Sequence, residues 1–257
     1  MGAGDLVKPV CPKCGRKSIV HYIRSDTHWI PIGFWCPRCE IPVSPATVEP
    51  PRVFRMQVED FLNTTQKFDL IMVDPPWTYN TEAVRKGDRI SSHYSQMSTE
   101  DICALPVSNI TEKNAVLFLW RTAPMSPDAQ KIIESWGFNP KTQTELIWDK
   151  EKIGLGQNVR GQHEALIMVK KGNFPTPKHY KPRSVFTESR TDHSRKPATS
   201  YYIINRMYPE ARKIELFARW VYPGWTGVGN EAEVNPNSEP STKIEKKRLQ
   251  NFEIEVI

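Results

Sequence analysis

Short apolar runs alternate with helix-like segments through the middle of the chain, and this alternation restricts the possible folds more than any other feature. Such a pattern is typical of a largely parallel sheet covered by helices, so the sequence predicts an α/β fold. One helix is predicted between Ser126, as its cap, and Gly137, and a second is predicted after Pro197. The candidate strands are residues 68–73, 115–120, 144–148, 165–169 and 213–217.

Two Cys-x-x-Cys pairs occur near the N-terminus. Each pair lies in a turn-like context, so that two thiolates can point at one tetrahedral metal ion. Two disulfides are the alternative, but residues 1–10 contain no secretory apolar segment, so we expect reduced thiols and favour zinc. The sequence therefore predicts a zinc ribbon with structural Zn²⁺, whose surface either contacts a nucleic acid or protein or has no such role. The predicted ligands are Cys11, Cys14, Cys36 and Cys39.

The chain is basic, with a formal net charge of +6 and a pI near 9.0. This favours a polyanionic partner, although many proteins that never bind nucleic acid are equally basic. Residues 170–196 are rich in Lys and Arg, with Phe174, His179 and Tyr180 among them, which fits either contacts to phosphates and unstacked bases or a solvated loop. The longest apolar run, residues 115–120, is too short to span a membrane, so we expect a soluble intracellular protein.

An acid, two prolines and an aromatic residue, Asp74 to Trp77, follow the first predicted strand. Ligand sites of α/β sheets lie at this end of the strands. An exocyclic aromatic amine is a poor nucleophile because its lone pair is delocalised, and the Asp74 carboxylate and the Pro75 carbonyl can both accept its N–H groups. Trp77 can stack on an extruded base. Alternatively, the motif only ends a strand and Trp77 packs in the core.

Further motifs follow in order along the chain: Leu117-Phe-Leu-Trp, Trp136-Gly-Phe, Leu146-Ile-Trp-Asp-Lys, Gly154-Leu-Gly, His193-Ser-Arg-Lys-Pro, Ile214-Glu-Leu-Phe-Ala-Arg and Gly227-Val-Gly-Asn-Glu. Together with Val73-Asp-Pro-Pro-Trp they resemble the Asp-Pro-Pro-Trp family of adenine-N6 methyltransferases, which includes the catalytic subunit of the mRNA adenosine methyltransferase. The resemblance covers residues 54–231. It implies a Rossmann-like fold and S-adenosylmethionine as the methyl donor.

The resemblance also assigns roles to individual residues. The implied catalytic residues are Asp74, Pro75, Pro76 and Trp77. The implied cofactor-binding residues are Asp74, Lys196, Phe217, Arg219, Asn230 and Glu231. Among these, the ammonium of Lys196 is expected to pair with the carboxylate of the cofactor.

One position departs from the family pattern. Where family members place an acid before the catalytic strand to contact the cofactor, this chain has Met56 and Gln57. Glu59 or Asp60 could substitute for that acid.

The predicted organisation has four parts: a zinc-ribbon module at residues 1–45, a proline-rich linker at 46–53, a Rossmann-like methyltransferase domain at 54–231 and a tail at 232–257. We expect methylation of adenine N6 in nucleic acid, with DNA favoured over RNA because no RNA-recognition domain is recognisable. The alternatives are a non-catalytic nucleic-acid-binding subunit of a methyltransferase complex and methylation of a cytosine amine. Whether the chain forms a homodimer or binds a methyltransferase partner subunit stays open.

Overall fold

The computed structural model describes residues 19–24, 29–36, 41–42, 51–78, 96–154, 158–177, 180–189 and 195–234; before residue 51 it describes the backbone alone. The helices are α1 (Val58–Phe61), α2 (Thr99–Ala104), α3 (Ser126–Ser135) and α4 (Ala198–Met207). The strands are β1 (Ile19–Arg24), β2 (Trp29–Cys36), β3 (Ile41–Pro42), β4 (Arg52–Phe54), β5 (Phe68–Val73), β6 (Thr111–Arg121), β7 (Asn139–Asp149), β8 (His163–Lys171), β9 (Val185–Thr187), β10 (Lys213–Leu216), β11 (Trp220–Val221), β12 (Trp225–Val228) and β13 (Glu233–Val234).

The central sheet has the strand order β4-β12-β10-β5-β6-β8-β7-β9. Neighbours from β4 to β6 run parallel, β8 runs antiparallel to β6 and β7, and β9 runs parallel to β7. The carboxyl ends of β5, β6, β10 and β12 therefore meet at one edge of the sheet. The prediction of an α/β fold with a largely parallel sheet is confirmed.

All five predicted strands correspond to strands of the central sheet. β5 has the predicted bounds, whereas β6, β7 and β8 extend beyond theirs. Phe217 lies just past the end of β10, because its φ of 60° is incompatible with an extended strand. After residue 51, the described strands that the sequence did not predict, such as β4 and β9, are two to four residues long and too short to show a period.

The central sheet is buried on both faces. In β5, Ile71 and Val73 pack with residues of α2 and α3, whereas Leu70 and Met72 pack with residues of α4. Successive side chains of a strand point to opposite faces, so a strand covered on both sides is apolar at every position. The apolar run in the sequence of β5 is thus a consequence of helices on both faces of the sheet.

The two predicted helices are α3 and α4. Ser126 is the first residue of α3, so the prediction of Ser126 as the cap was wrong by one position. The cap is Met125, whose side chain makes no capping hydrogen bond. Gly137 follows the end of α3 with a φ of 74°, a left-handed conformation that favours glycine. α4 begins directly after Pro197, as predicted. None of the helices in the described ranges is long and apolar enough to cross a membrane.

The N-terminal strands form a separate antiparallel sheet, β1-β2-β3. Cys36 ends β2 and is paired with Ile41 of β3. The other predicted zinc ligands, Cys11, Cys14 and Cys39, lie outside the described residues. Within the described part of the chain, no group of His, Cys, Asp and Glu side chains could hold a metal ion. The zinc ribbon therefore stays a prediction.

Strands occur beyond both predicted domain boundaries, β4 in the central sheet and β13 in a separate two-stranded sheet with β11. β4 begins at Arg52, inside the segment predicted to be a linker. At the other end, β13 follows residue 231 and pairs with β11. The remainder of the predicted tail, residues 235–257, lies outside the described residues.

We predict that Gly229→Ala destabilises the fold. A Cβ atom at Gly229 would lie 2.5 Å from the carbonyl oxygen of Ala218 and 2.9 Å from its nitrogen, so rigid backbone would have to move. The free energy of unfolding, measured by urea denaturation, should fall by about 1 to 3 kcal/mol. Gly161→Ala is the matched control, because nothing lies within 4 Å of its Cβ position. Equal losses in the two variants would contradict the packing argument.

Candidate active site

Four of the residues implied by the sequence line one cleft at the carboxyl edge of the parallel strands. Asp74 follows β5, Lys196 precedes α4, and Phe217 and Arg219 follow β10, the strand next to β5. The free space of the cleft, including its open mouth, is about 290 Å³. Residues that are far apart in the sequence are thus brought to the edge of the sheet where ligands of α/β proteins bind.

Lys196 is shared between two carboxylates. Its Nζ lies 2.9 Å from Oδ1 of Asp74 and 3.0 Å from Oε2 of Glu164, and it stands over the ring of Trp120 at 5.4 Å from the centroid. The other carboxylate oxygen of Glu164 accepts a hydrogen bond from Nζ of Lys150 at 2.8 Å. Two acids and two lysines therefore form a continuous row whose formal charges cancel.

The row changes the acidity of its members. Burial raises the pKa of Asp74, and the nearby Glu164 carboxylate adds to this, while Lys196 opposes it. Burial alone would lower the pKa of Lys196, but the two carboxylates outweigh it and raise that pKa above its ordinary value. Burial also acts to raise the pKa of Glu164, yet Lys196 and Lys150 together hold it below its ordinary value. Lys196 thus stays protonated, and Asp74 is the member that most readily takes up a proton.

A further acid, Glu188, is buried and fixes the helix that follows Lys196. Its two carboxylate oxygens accept the backbone N–H groups of Ala198 at 3.1 Å and Thr199 at 2.9 Å. The N–H groups of a first helical turn lack partners within the helix, so a carboxylate there stabilises the start of α4. Because Lys196 lies two residues before α4, this contact also restricts the position of its backbone.

The turn after Asp74 is held by backbone hydrogen bonds. Trp77 donates its N–H to the carbonyl of Pro75 at 2.8 Å, and Met97 donates its N–H to the carbonyl of Pro76 at 2.9 Å. Trp77 is only 7% exposed and packs in the core, and no described residue accepts a hydrogen bond from its indole N–H. The structure therefore places this tryptophan as in the alternative interpretation of the sequence, packed against the core.

Phe217 has a strained backbone at the wall of the cleft. Its φ of 60° lies in the left-handed region, which bulky side chains rarely adopt. Strain of this kind persists only where the surrounding structure holds the residue in place, and it is concentrated at functional sites. The turn after β10 thus directs the Phe217 ring and the following residues toward the cleft.

Two implied cofactor residues, Asn230 and Glu231, lie outside the lining of the cleft and are exposed. Nδ2 of Asn230 donates a hydrogen bond to Oε1 of Gln57 at 3.1 Å. Gln57 therefore stands beside the glycine-containing turn, where the family pattern has an acid. Glu59 and Asp60 are exposed on α1.

Sequence reasoning missed the buried pair of Tyr201 and Glu215, which also lines the cleft. The hydroxyl of Tyr201 lies 2.8 Å from Oε1 and 2.9 Å from Oε2 of Glu215. The one available signal was the acid itself, because a carboxylate in the middle of a short apolar strand needs a partner. Glu164 and Lys150 had no such signal, since their pairing depends on the register of β7 against β8.

The aromatic residues of the basic stretch at residues 170–196 are packed. Phe174 and Tyr180 are partly buried against the core, and the Phe174 ring lies 5.0 Å from that of Tyr208. The guanidinium of Arg206 stands 4.1 Å from the centroid of the Tyr180 ring. These contacts favour a packing role for Phe174 and Tyr180 over stacking on bases; His179 lies outside the described residues.

Comparisons with known proteins identify the family to which the chain belongs. The model of the MT-A70 family matches residues 68–231. The chain is 32% identical over 197 residues to the Type II methyltransferase M.MunI of Mycoplasma sp, covering 70% of this chain and 81% of that protein. Identity to human N(6)-adenine-specific methyltransferase METTL4 is 26% over 199 residues, covering 68% of this chain and 39% of that protein. Identity to the human N(6)-adenosine-methyltransferase catalytic subunit METTL3 is 28% over 178 residues, covering 65% of this chain and 28% of that protein.

The matched segment contains all four cleft residues that the sequence had implied: Asp74, Lys196, Phe217 and Arg219. The chain spans most of the length of M.MunI but less than half of either human protein. The resemblance found in the sequence is confirmed, and the chain belongs to the MT-A70 family of adenine-N6 methyltransferases.

Proposed function

We propose that this chain transfers a methyl group from S-adenosylmethionine to the N6 amine of adenine in DNA. The observation that carries the proposal is the Asp74 carboxylate in the wall of a cleft at the carboxyl ends of parallel strands, beside Lys196, Phe217 and Arg219. Membership of the MT-A70 family supports the reaction type.

The residues of the cleft fit S-adenosylmethionine. Lys196 uses two of its three N–H groups for Asp74 and Glu164, which leaves one for a ligand carboxylate. Phe217 offers an apolar surface and Arg219 offers donors on the same wall. Outside the lining of the cleft, the exposed Asn230 and its partner Gln57 are polar groups that suit ribose hydroxyls. When bound, S-adenosylmethionine supplies an electrophilic methyl group on a positively charged sulfur.

Asp74 acts on the amine. Its carboxylate accepts a hydrogen bond from the amino group of adenine, which returns electron density to the nitrogen that attacks. The Pro75 carbonyl has one lone pair in the bond from the Trp77 N–H and keeps the other for the second amino hydrogen. The methylated nitrogen then carries an extra proton, which Asp74 takes up because burial has raised its pKa.

One observation supports DNA as the polymer, and a second supports a nucleic acid of either kind. The chain covers 81% of a Type II methyltransferase. Its net charge of +6 favours a polyanion of either kind. METTL3 is named a catalytic subunit, which implies that it acts with another subunit. We therefore also propose that this chain acts as a homodimer or with a partner subunit.

The N-terminal sheet is proposed to belong to a structural zinc ribbon. Cys36 is paired with Ile41 across β2 and β3, and Cys39 falls between them in the sequence. Two Cys-x-x-Cys pairs supply four thiolates, the donor set that tetrahedral zinc prefers. The metal would supply folding energy to a small module and take no part in methyl transfer.

Asp74→Asn should lower methyl transfer by at least about 100-fold, because an amide can neither take up the proton nor carry the negative charge. Transfer of labelled methyl from S-adenosylmethionine to adenine-containing DNA measures this. Asp69→Asn is the matched control: Asp69 lies at the other end of the same strand in an ion pair with Arg212 at 2.9 Å, and the variant should retain activity. Wild-type activity in Asp74→Asn would contradict the role of this acid.

The choice of polymer can be read from the product. After reaction with DNA and RNA oligonucleotides of the same sequence, nucleoside digestion and mass spectrometry should yield N6-methyl-deoxyadenosine in excess over N6-methyladenosine. An excess of the ribonucleoside would overturn the preference for DNA and leave the reaction type intact.

Purified protein should contain one zinc ion per chain by elemental analysis, and Cys36→Ser should lose it because three thiolates bind zinc more weakly than four. Cys103→Ser is the control, since Cys103 lies in α2, partly buried against the core and free. A metal-free wild-type protein, or zinc that survives in Cys36→Ser, would show that the four cysteines do not form this site.

A further inference from the structure

Glu215 is a buried acid in the wall of the cleft that the proposed reaction does not use. It lies in β10, opposite Met72 of β5, and is only 4% exposed. Its neighbours in the strand, Ile214 and Leu216, pack on the other face of the sheet. An apolar residue would satisfy the packing at this position, so the carboxyl group needs another explanation.

Glu215 differs from the other acids of the site in its partners. Asp74 and Glu164 each have the ammonium of Lys196 within 3.0 Å, whereas Glu215 has no ion pair with a residue in the described ranges and is bonded to the hydroxyl of Tyr201. Burial raises the pKa of Glu215 to about 8, against the effect of the Tyr201 hydrogen bond. At neutral pH the acid is therefore mostly neutral, beside a cleft that must accept a charged ligand.

Charged and titratable groups reach this part of the cleft from several elements. The turn after β5 contributes Asp74, the segment before α4 contributes Arg195 and Lys196, α4 itself contributes Tyr201, and the segment after β10 contributes Arg219 and Tyr222.

We propose that Glu215 senses the charge of the ligand: it releases its proton to solvent when a sulfonium compound enters the cleft and regains one when the sulfur becomes a neutral thioether. The inference rests on the proposed function. A cation in a partly desolvated cleft favours the ionised form of a carboxyl group in its wall. Loss of the methyl group removes that cation, so the attraction ends and the proton returns. Glu215 thus strengthens binding of the methyl donor relative to its product.

Tyr201 is positioned to stabilise the ionised form of Glu215. Its ring stacks on Tyr222 at 4.0 Å and meets the ring of Trp225 edge-on at 5.3 Å, so the hydroxyl has little freedom to move. Burial, together with the Glu215 carboxylate, raises the pKa of Tyr201 well above its ordinary value. The hydroxyl therefore keeps its hydrogen and can donate it to either oxygen of the Glu215 carboxylate.

Calorimetric binding tests the proposal without catalysis. S-adenosylmethionine and S-adenosylhomocysteine are each titrated into the full chain at pH 7.5, in two buffers with different ionisation enthalpies, which gives the number of protons released. The sulfonium compound should release more protons than the thioether, by up to about one proton per chain, because Glu215 is protonated before the ligand binds and ionised beside the sulfonium. Glu215→Gln should abolish the difference and reduce the ratio of the two affinities on the order of 10-fold.

Two further variants sharpen the test. Glu145→Gln is the control, because Glu145 is paired with Arg121 at 2.8 Å in the same sheet and should leave the difference in proton release unchanged. Tyr201→Phe removes the hydrogen bond that opposes protonation of Glu215, so the difference should rise toward one proton and extend to higher pH.

Four outcomes would overturn the inference. Equal proton release by the two ligands in the wild type, or an undiminished difference in Glu215→Gln, would refute it and leave the proposed function standing. If Glu215→Gln fails to fold, Tyr201→Phe decides. The inference is then refuted if the difference in proton release between the two ligands depends on pH in Tyr201→Phe as it does in the wild type. Absence of S-adenosylmethionine binding by the wild type would refute the proposed function and this inference together.

Discussion

The ammonium group of Lys196 lies between the carboxylates of Asp74 and Glu164, and the chemistry of the cleft depends on this shared position. Without it, two partly buried acids would face each other with no positive charge between them, at a cost of several kcal/mol, and one of them would be neutral. Lys150 completes the row by neutralising Glu164. The row therefore keeps Asp74 charged enough to accept an amine hydrogen, yet buried enough to take up a proton afterwards.

The fold supplies this arrangement by joining three distant segments. β5 and β10 are adjacent and parallel, so the residues that follow them, Asp74 and Phe217, emerge at the same edge of the sheet. α4 packs on one face of that sheet and places Lys196 at its start, where the Glu188 carboxylate holds the first turn. A buried sheet thus provides the rigidity that a site for a weak nucleophile requires.

Patterns and motifs in the sequence were sufficient to predict the features of the fold and the site that depend on short segments of the chain. β5 was predicted with its bounds because helices on both faces make residues 70–73 a continuous apolar run, and Asp74 and Lys196 were found from short motifs. Glu164 could not be predicted, because its contact with Lys196 depends on the register of β8 in the sheet and on the packing of the segment before α4. Trp77 looked available for stacking, whereas the return of Met97 against the turn packs it in the core. Long-range register and burial decide such positions, and a single sequence does not contain them.

A crystal structure of the chain with S-adenosylhomocysteine and an adenine-containing oligonucleotide is the most direct test. The account predicts the amino nitrogen of adenine within hydrogen-bond distance of the Asp74 carboxylate and the carboxylate of the cofactor product on Lys196. A cofactor product bound outside the cleft, or an adenine whose amino group is far from Asp74, would contradict it.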